Sequence, residues 1–168
     1  MKAFSFVILF LSSTFIGLKA NENPEKEIRT QFYNASYEKI SLEDFKEYLD
    51  KFESKKSPIY IGYESMYFML LSRESWNPYA KYNNFLKGKE KLETAIKISP
   101  NNIELIFLRY CIQRTIPGIL NYSDKIESDK KLLLSSWSSL DDSDLQERIK
   151  KYFVENDITK ESFFNNNI

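Results

Sequence analysis

The residues best placed to do chemistry lie in one apolar run, "PNNIELIFLRYCIQRTIPGIL", residues 100–120, which carries Glu104, Arg109 and Gln113. Glu104 with Asp129 would supply the two carboxylates that glycoside hydrolysis uses. Arg109 offers a planar fork for a carboxylate or a peptide terminus, with Gln113 beside it. The alternative is structural: charges inside a core must be paired, and these groups would then fix how helices pack. On a helix turning ~100° per residue, Glu104 lies beside Leu108 and Cys111, whereas Arg109 and Gln113 share a different face. Glu104 and Arg109 therefore need partners from other elements. Lys81, just after the Asn77-Pro78 turn, is the cationic candidate for Glu104. Asp129, on the apolar stripe between Ile126 and Leu133, is the anionic candidate for Arg109. Trp76 and Tyr79, near the same turn, are candidates to line a ligand, although aromatic side chains more often serve as core.

Other chemistry is excluded by composition. The chain contains no histidine. A Ser-His-Asp triad, a Cys-His pair and a histidine metal site are therefore absent from it. Its single cysteine, Cys111, cannot form an internal disulfide or a thiolate zinc site. Set between Tyr110 and Ile112, it reads as a buried, inert thiol. No cofactor motif is found. Lys plus Arg balances Asp plus Glu at 24 each, so nothing draws the chain to nucleic acid or an anionic membrane.

Regular elements must position these groups. The 168 residues suit one domain with its own core, and only 4 Gly and 5 Pro favour long elements over loops. Residues 1–20, "MKAFSFVILFLSSTFIGLKA", have the layout of a secretory signal peptide: Lys2, an apolar run from Ala3 to Leu18, and Ala20 at the cleavage position. The run is shorter than the ~20 residues that span a bilayer. An uncleaved anchor is the alternative, and beyond this segment no membrane contact is expected. The sequons at Asn34 and Asn121 matter only in a eukaryotic secretory route. An exported chain without disulfides fits a bacterial periplasm better.

Every segment from residue 21 to 156 reads as helix, and residues 157–168 read as a frayed tail. Pro24 opens the first helix, with Ile28 and Phe32 on one side. Ser41 and Asp44 make a capping box before the stripe Leu42, Phe45, Tyr48, Leu49 and Phe52. Ser57-Pro58 starts a helix apolar over a wide arc, which should lie centrally. Phe85, Gly88, Leu92, Ala95 and Ile96 share one face of the next. Gly88 costs roughly 1 kcal/mol relative to Ala in a helix, a cost explained by close approach of a neighbouring helix. The run "KGKEKLE" reads as a solvated face. Asn102 caps the helix that Pro117-Gly118 closes. Ser123 and Asp142 or Ser143 start the last two.

Two resemblances follow. Gly88, Leu92, Ala95 and Pro100 resemble the second helix and exit turn of a tetratricopeptide repeat, although "SWNPYAK" replaces the pattern of its first helix. A longer stretch resembles an uncharacterised family of exported bacterial all-helical proteins. It carries Asn77, Pro78, Lys81, Phe85 and Gly88, then Pro100, Asn102, Glu104, Leu108, Arg109 and Gln113, then Pro117, Leu120, Tyr122, Ile126 and Asp129. The family's usual second arginine is Ile106 here. The resemblance implies a tetratricopeptide-like fold and no named activity.

The expected protein is thus an all-α single domain of about six or seven helices, stacked as antiparallel pairs. Its expected role is a non-catalytic interaction or scaffold module in the periplasm, without cofactor, whose partner is another protein or a peptide. A ligand- or peptide-binding protein with a polar groove around Arg109 is the alternative, and an unrecognised hydrolase the third. The polar network, structural or ligand-binding, comprises Asn77, Lys81, Glu104, Arg109, Gln113, Tyr122 and Asp129.

Overall fold

Helix starts in this chain are set by side chains that satisfy the first free backbone N–H groups. In a computed structural model of the protein, which describes residues 23–52, 55–156 and 158–165, Asn23 accepts from Glu25 N–H and opens α1 (Pro24–Ser36). Ser41 and Asp44 form the expected capping box of α2 (Leu42–Lys51). Ser57 caps α3 (Pro58–Glu74), Asn77 caps α4 (Pro78–Ile98) and Asn102 caps α5 (Ile103–Thr115). After a 3-10 turn at Gly118–Leu120 comes α6 (Ile126–Ser136), then a second 3-10 turn at Trp137–Ser139. Asp142 caps α7 (Ser143–Glu155), and α8 is Glu161–Asn165. The described residues form one all-α domain without strands.

Two starts and ends differ from expectation. The sixth helix begins at Ile126 rather than at Ser123, and has no side-chain cap of its own. Its first N–H partner comes from another element: Gln113 Oε1 accepts from the Lys125 N–H at 3.1 Å. The tail does not fray over 161–165. Phe164 is fully buried, edge-on to Trp137 at 4.9 Å and to Phe153 at 6.4 Å. Burial of one aromatic side chain, worth about 1.5–3 kcal/mol, is enough to hold a single helical turn against the domain. The expected signal peptide, residues 1–20, lies outside the described residues, as do 157 and 166–168.

Paired contacts give the helix directions. Between α3 and α4, Ser72 Oγ donates to the Lys81 carbonyl at 2.8 Å, and Lys91 pairs with Glu64 at 2.7 Å. One residue number falls as the other rises, so the two helices are an antiparallel hairpin. Arg109 with Asp129 and Gln113 with Lys125 set the same relation for α5 and α6. The helix α3 touches α1, α2, α4 and α5 and is central, as its wide apolar arc requires. The helix α5 is buried continuously from Glu104 to Tyr110.

Gly88 sits where α4 crosses α3. A Cβ there would lie 3.1 Å from the Ser65 carbonyl oxygen and 2.9 Å from the Met69 methyl. The backbone oxygen cannot move aside as a side chain can. Gly88→Leu is therefore expected to lower stability by about 1–3 kcal/mol, the usual cost of overpacking, although Leu is the better helix former. A urea midpoint equal to the parent's would contradict this packing.

Candidate functional site

The charged residues in the core form two separate clusters. The first is centred on Arg29 of α1, which is 1% exposed. Its Nε and Nη2 donate to Glu104 at 2.6 and 2.8 Å, a two-pronged pair between α1 and α5. Its Nη1 and Nη2 reach Asp142 at 3.1 and 2.8 Å, and Nη1 also reaches Asp144 at 2.8 Å. A guanidinium has five N–H donors, and each of the five has an acceptor here. Tyr63 of α3 donates its hydroxyl to Glu104 as well. Burial and the Glu104 charge both push the Tyr63 hydroxyl well above its ordinary value, so it stays protonated and remains a donor. Burial works against the Arg29 charge, but its bonds to Glu104 and Asp142 outweigh that and raise it. Arg148 closes the cluster by donating to Asp144 at 2.9 Å while lying 4.0 Å over the Tyr33 ring.

The second cluster joins α4, α5 and α6. Arg109, 7% exposed, donates from Nε and Nη2 to Asp129, both at 2.8 Å. Its Nη1 donates to Glu93 at 3.1 Å. Glu93 in turn accepts from the buried Tyr122 hydroxyl. Burial first, and then the Glu93 carboxylate, push that hydroxyl above its ordinary value. Gln113 is 3% exposed; its Oε1 holds the start of α6, and its Nε2 has no partner among the described residues.

The seven residues singled out from the sequence thus divide. Arg109, Gln113, Tyr122 and Asp129 lie in the second cluster. Glu104 belongs to the first, where its cation is Arg29 and not Lys81. Asn77 accepts from the Tyr79 and Ala80 N–H groups as a helix cap, and Lys81 is exposed one turn further on. Glu104 and Asp129 sit in different clusters, each held by its own arginine. Sequence reasoning missed Arg29, Tyr63, Asp142, Asp144 and Glu93. A signal existed for Arg29, which lies one residue after Ile28 and three before Phe32, at the edge of the apolar stripe of α1. Glu93 was concealed in the run read as solvated. Cys111 is half-buried against the core, and burial raises its thiol, which disfavours the reactive thiolate.

A concave site exists elsewhere. A groove of about 740 Å3 runs between the C-terminal ends of α1, α3 and α5 and the first turns of α4. Met66, Met69, Leu70, Phe85, Ile112 and Ile116 form its apolar walls. The volume lies within the ~300–1,000 Å3 of ordinary ligand sites, which are also largely apolar. Its lining includes two exposed side chains, Tyr82 and Ile119. Trp76, in the α3–α4 turn, is 99% exposed, and Ile119, in the turn after Pro117, is 91% exposed. Tyr79 and Tyr82 stand out on the first turns of α4. Trp76 and Tyr79 are therefore not core residues.

Comparison with protein-family models, with curated proteins and with solved structures found no match. Among the described residues no helix is long and apolar enough to cross a membrane.

Proposed function

We propose that this protein is a non-catalytic interaction module of the bacterial periplasm that takes a partner segment in the apolar groove beside the Asn77-Pro78 turn. The observation that carries this reading is a groove of about 740 Å3 whose lining includes the exposed side chains Tyr82 and Ile119. The antiparallel α3–α4 and α5–α6 pairs support a tetratricopeptide-like stack, and the layout of residues 1–20 supports export. The commitment of Arg29 and Arg109 to buried carboxylates favours a structural role for both clusters over a ligand site at Arg109.

The test is a fluorescence titration with Nile red, a neutral apolar dye, against the parent and the variant Ile119→Glu/Tyr82→Glu. Both substituted side chains line the groove and are exposed, so the urea midpoint should change by no more than ~0.5 kcal/mol equivalent. Saturable dye binding by the parent, weakened about tenfold or more in the variant, is expected. No saturable binding, or equal binding by the two proteins, would contradict the groove as a site.

A further inference from the structure

Resting on that reading, we infer that the occupant of the groove is an amphipathic helix of a partner protein, with acidic residues beside its apolar stripe. The charge of the lining points to the acidic residues. Among the described residues, Arg73 and Lys81 are the only charged ones that line the groove, and both are cationic. The chain as a whole is balanced at 24 to 24, so a carboxylate-free site is a local feature rather than a bias of composition. Both cations are available. Arg73 has only a 3.3 Å contact to the Ser36 carbonyl and a 3.7 Å approach to Glu74, whose carboxylate lies outside the lining. Lys81 has no ion pair among the described residues, whereas Lys91, nearby on the same helix, is held by Glu64 at 2.7 Å.

The walls point to a helix. They are side chains projecting from helices, and the described residues contain no strand whose edge could pair with an extended peptide. A helix arrives with its own backbone hydrogen bonds made and needs only side-chain complementarity. Met66 and Met69 provide flexible, polarizable walls suited to varied aliphatic side chains.

The experiment uses two synthetic peptides of about 18 residues, five helical turns. They share a Leu/Phe stripe and differ only in carrying Glu or Lys on its flanks. Each is titrated calorimetrically into the full chain at low ionic strength. The Glu peptide is expected to bind about tenfold tighter than the Lys peptide. The preference should shrink with added salt and reverse in Arg73→Glu/Lys81→Glu, whose folding is checked by circular dichroism. Equal affinities, both lost in Ile119→Glu/Tyr82→Glu, would overturn the acidic partner and leave the groove reading standing. Nile red binding with no peptide binding would overturn the helical guest alone. Failure of dye and peptides together would overturn both readings. Two further results would also overturn the inference: binding to phosphatidylglycerol vesicles in preference to either peptide, or a dimer of this chain that Ile119→Glu dissociates.

Discussion

Arg29→Ala is expected to destabilise the domain by about 3–5 kcal/mol, the cost of leaving a buried carboxylate without its cation. The carboxylate is Glu104, whose side chain is 6% exposed and which would keep only Tyr63 as a donor. A loss of that size is a large part of the 5–15 kcal/mol that holds an ordinary domain, so the variant should unfold at a much lower urea concentration. The charge, not the shape, is the cause. Arg29→Met/Glu104→Gln should therefore recover a substantial part of the loss seen in Arg29→Met alone, since a neutral amide needs no cation and still accepts from Tyr63. Asp142 and Asp144 reach water in either case. A loss below ~1 kcal/mol for Arg29→Ala would match an exposed pair and contradict the buried cluster.

The same cluster makes the domain sensitive to acid. Burial raises the Asp142 and Asp144 carboxyls, but hydrogen bonds prevail and hold both below the ordinary value of 3.8; the donors are Arg29 and the Leu145 N–H for Asp142, and Arg148 and Arg29 for Asp144. A carboxyl lowered on folding stabilises fully above its unfolded value. That stabilisation is lost as the pH falls below 3.8 through the folded value. Glu25 acts in the opposite sense: burial and then Glu104 raise its carboxyl, so its protonation favours the fold. The urea midpoint of the parent should fall steeply below about pH 4, and that of Arg29→Ala less steeply, as Asp142 has then lost its main partner.

For the second cluster, Arg109→Ala should also cost about 3–5 kcal/mol, because Asp129 is 3% exposed and loses both of its bonds. Glu93 reaches water and adds little to that cost. Asp129→Asn removes the charge and keeps the shape. In the double variant neither charge is stranded, so the two losses should fail to add by about 1–3 kcal/mol, the range for residues in direct contact. Urea midpoints of the three variants measure the coupling. Small losses that add would show that water solvates what remains, and would return Arg109 to the position of an open donor for a ligand.

What could be read from the sequence was local or carried on neighbouring elements. The capping box at Ser41, the Pro58 start and the Asn102 cap involve atoms a few residues apart, so each could be read from a short pattern. Gly88 was legible because glycine in a long helix requires a reason. The pairing of Arg109 with Asp129 was legible because both lie on inward faces of consecutive helices. Glu104 was legible as a charge needing a partner, but that partner is 75 residues away on α1. Asp142 was visible only as a cap; its second role depends on how α1 and α7 pack. Of the groove only the Asn77-Pro78 turn was legible, where Trp76 and Tyr79 were candidates to line a ligand. The groove's concavity comes from where helices end relative to one another, and Trp76 and Tyr79 have the composition of core residues while pointing to solvent. Phe164 likewise reads as part of a polar tail until the gap beside Trp137 that it fills is known.

The protein combines a closed polar interior with an open apolar groove, and one spectrum addresses both. Met69 lines the groove and is partly exposed, so its 13C-labelled methyl signal reports the groove's accessibility. The Nε–H signals of Arg29 and Arg109 report the two polar clusters. The neutral nitroxide TEMPO, added in steps, should broaden the Met69 methyl signal and leave both arginine Nε–H signals sharp, since Glu104 and Asp129 already cover them. Broadening of the Arg109 Nε–H with a sharp Met69 methyl signal would contradict the account and relocate the accessible site to the polar cluster.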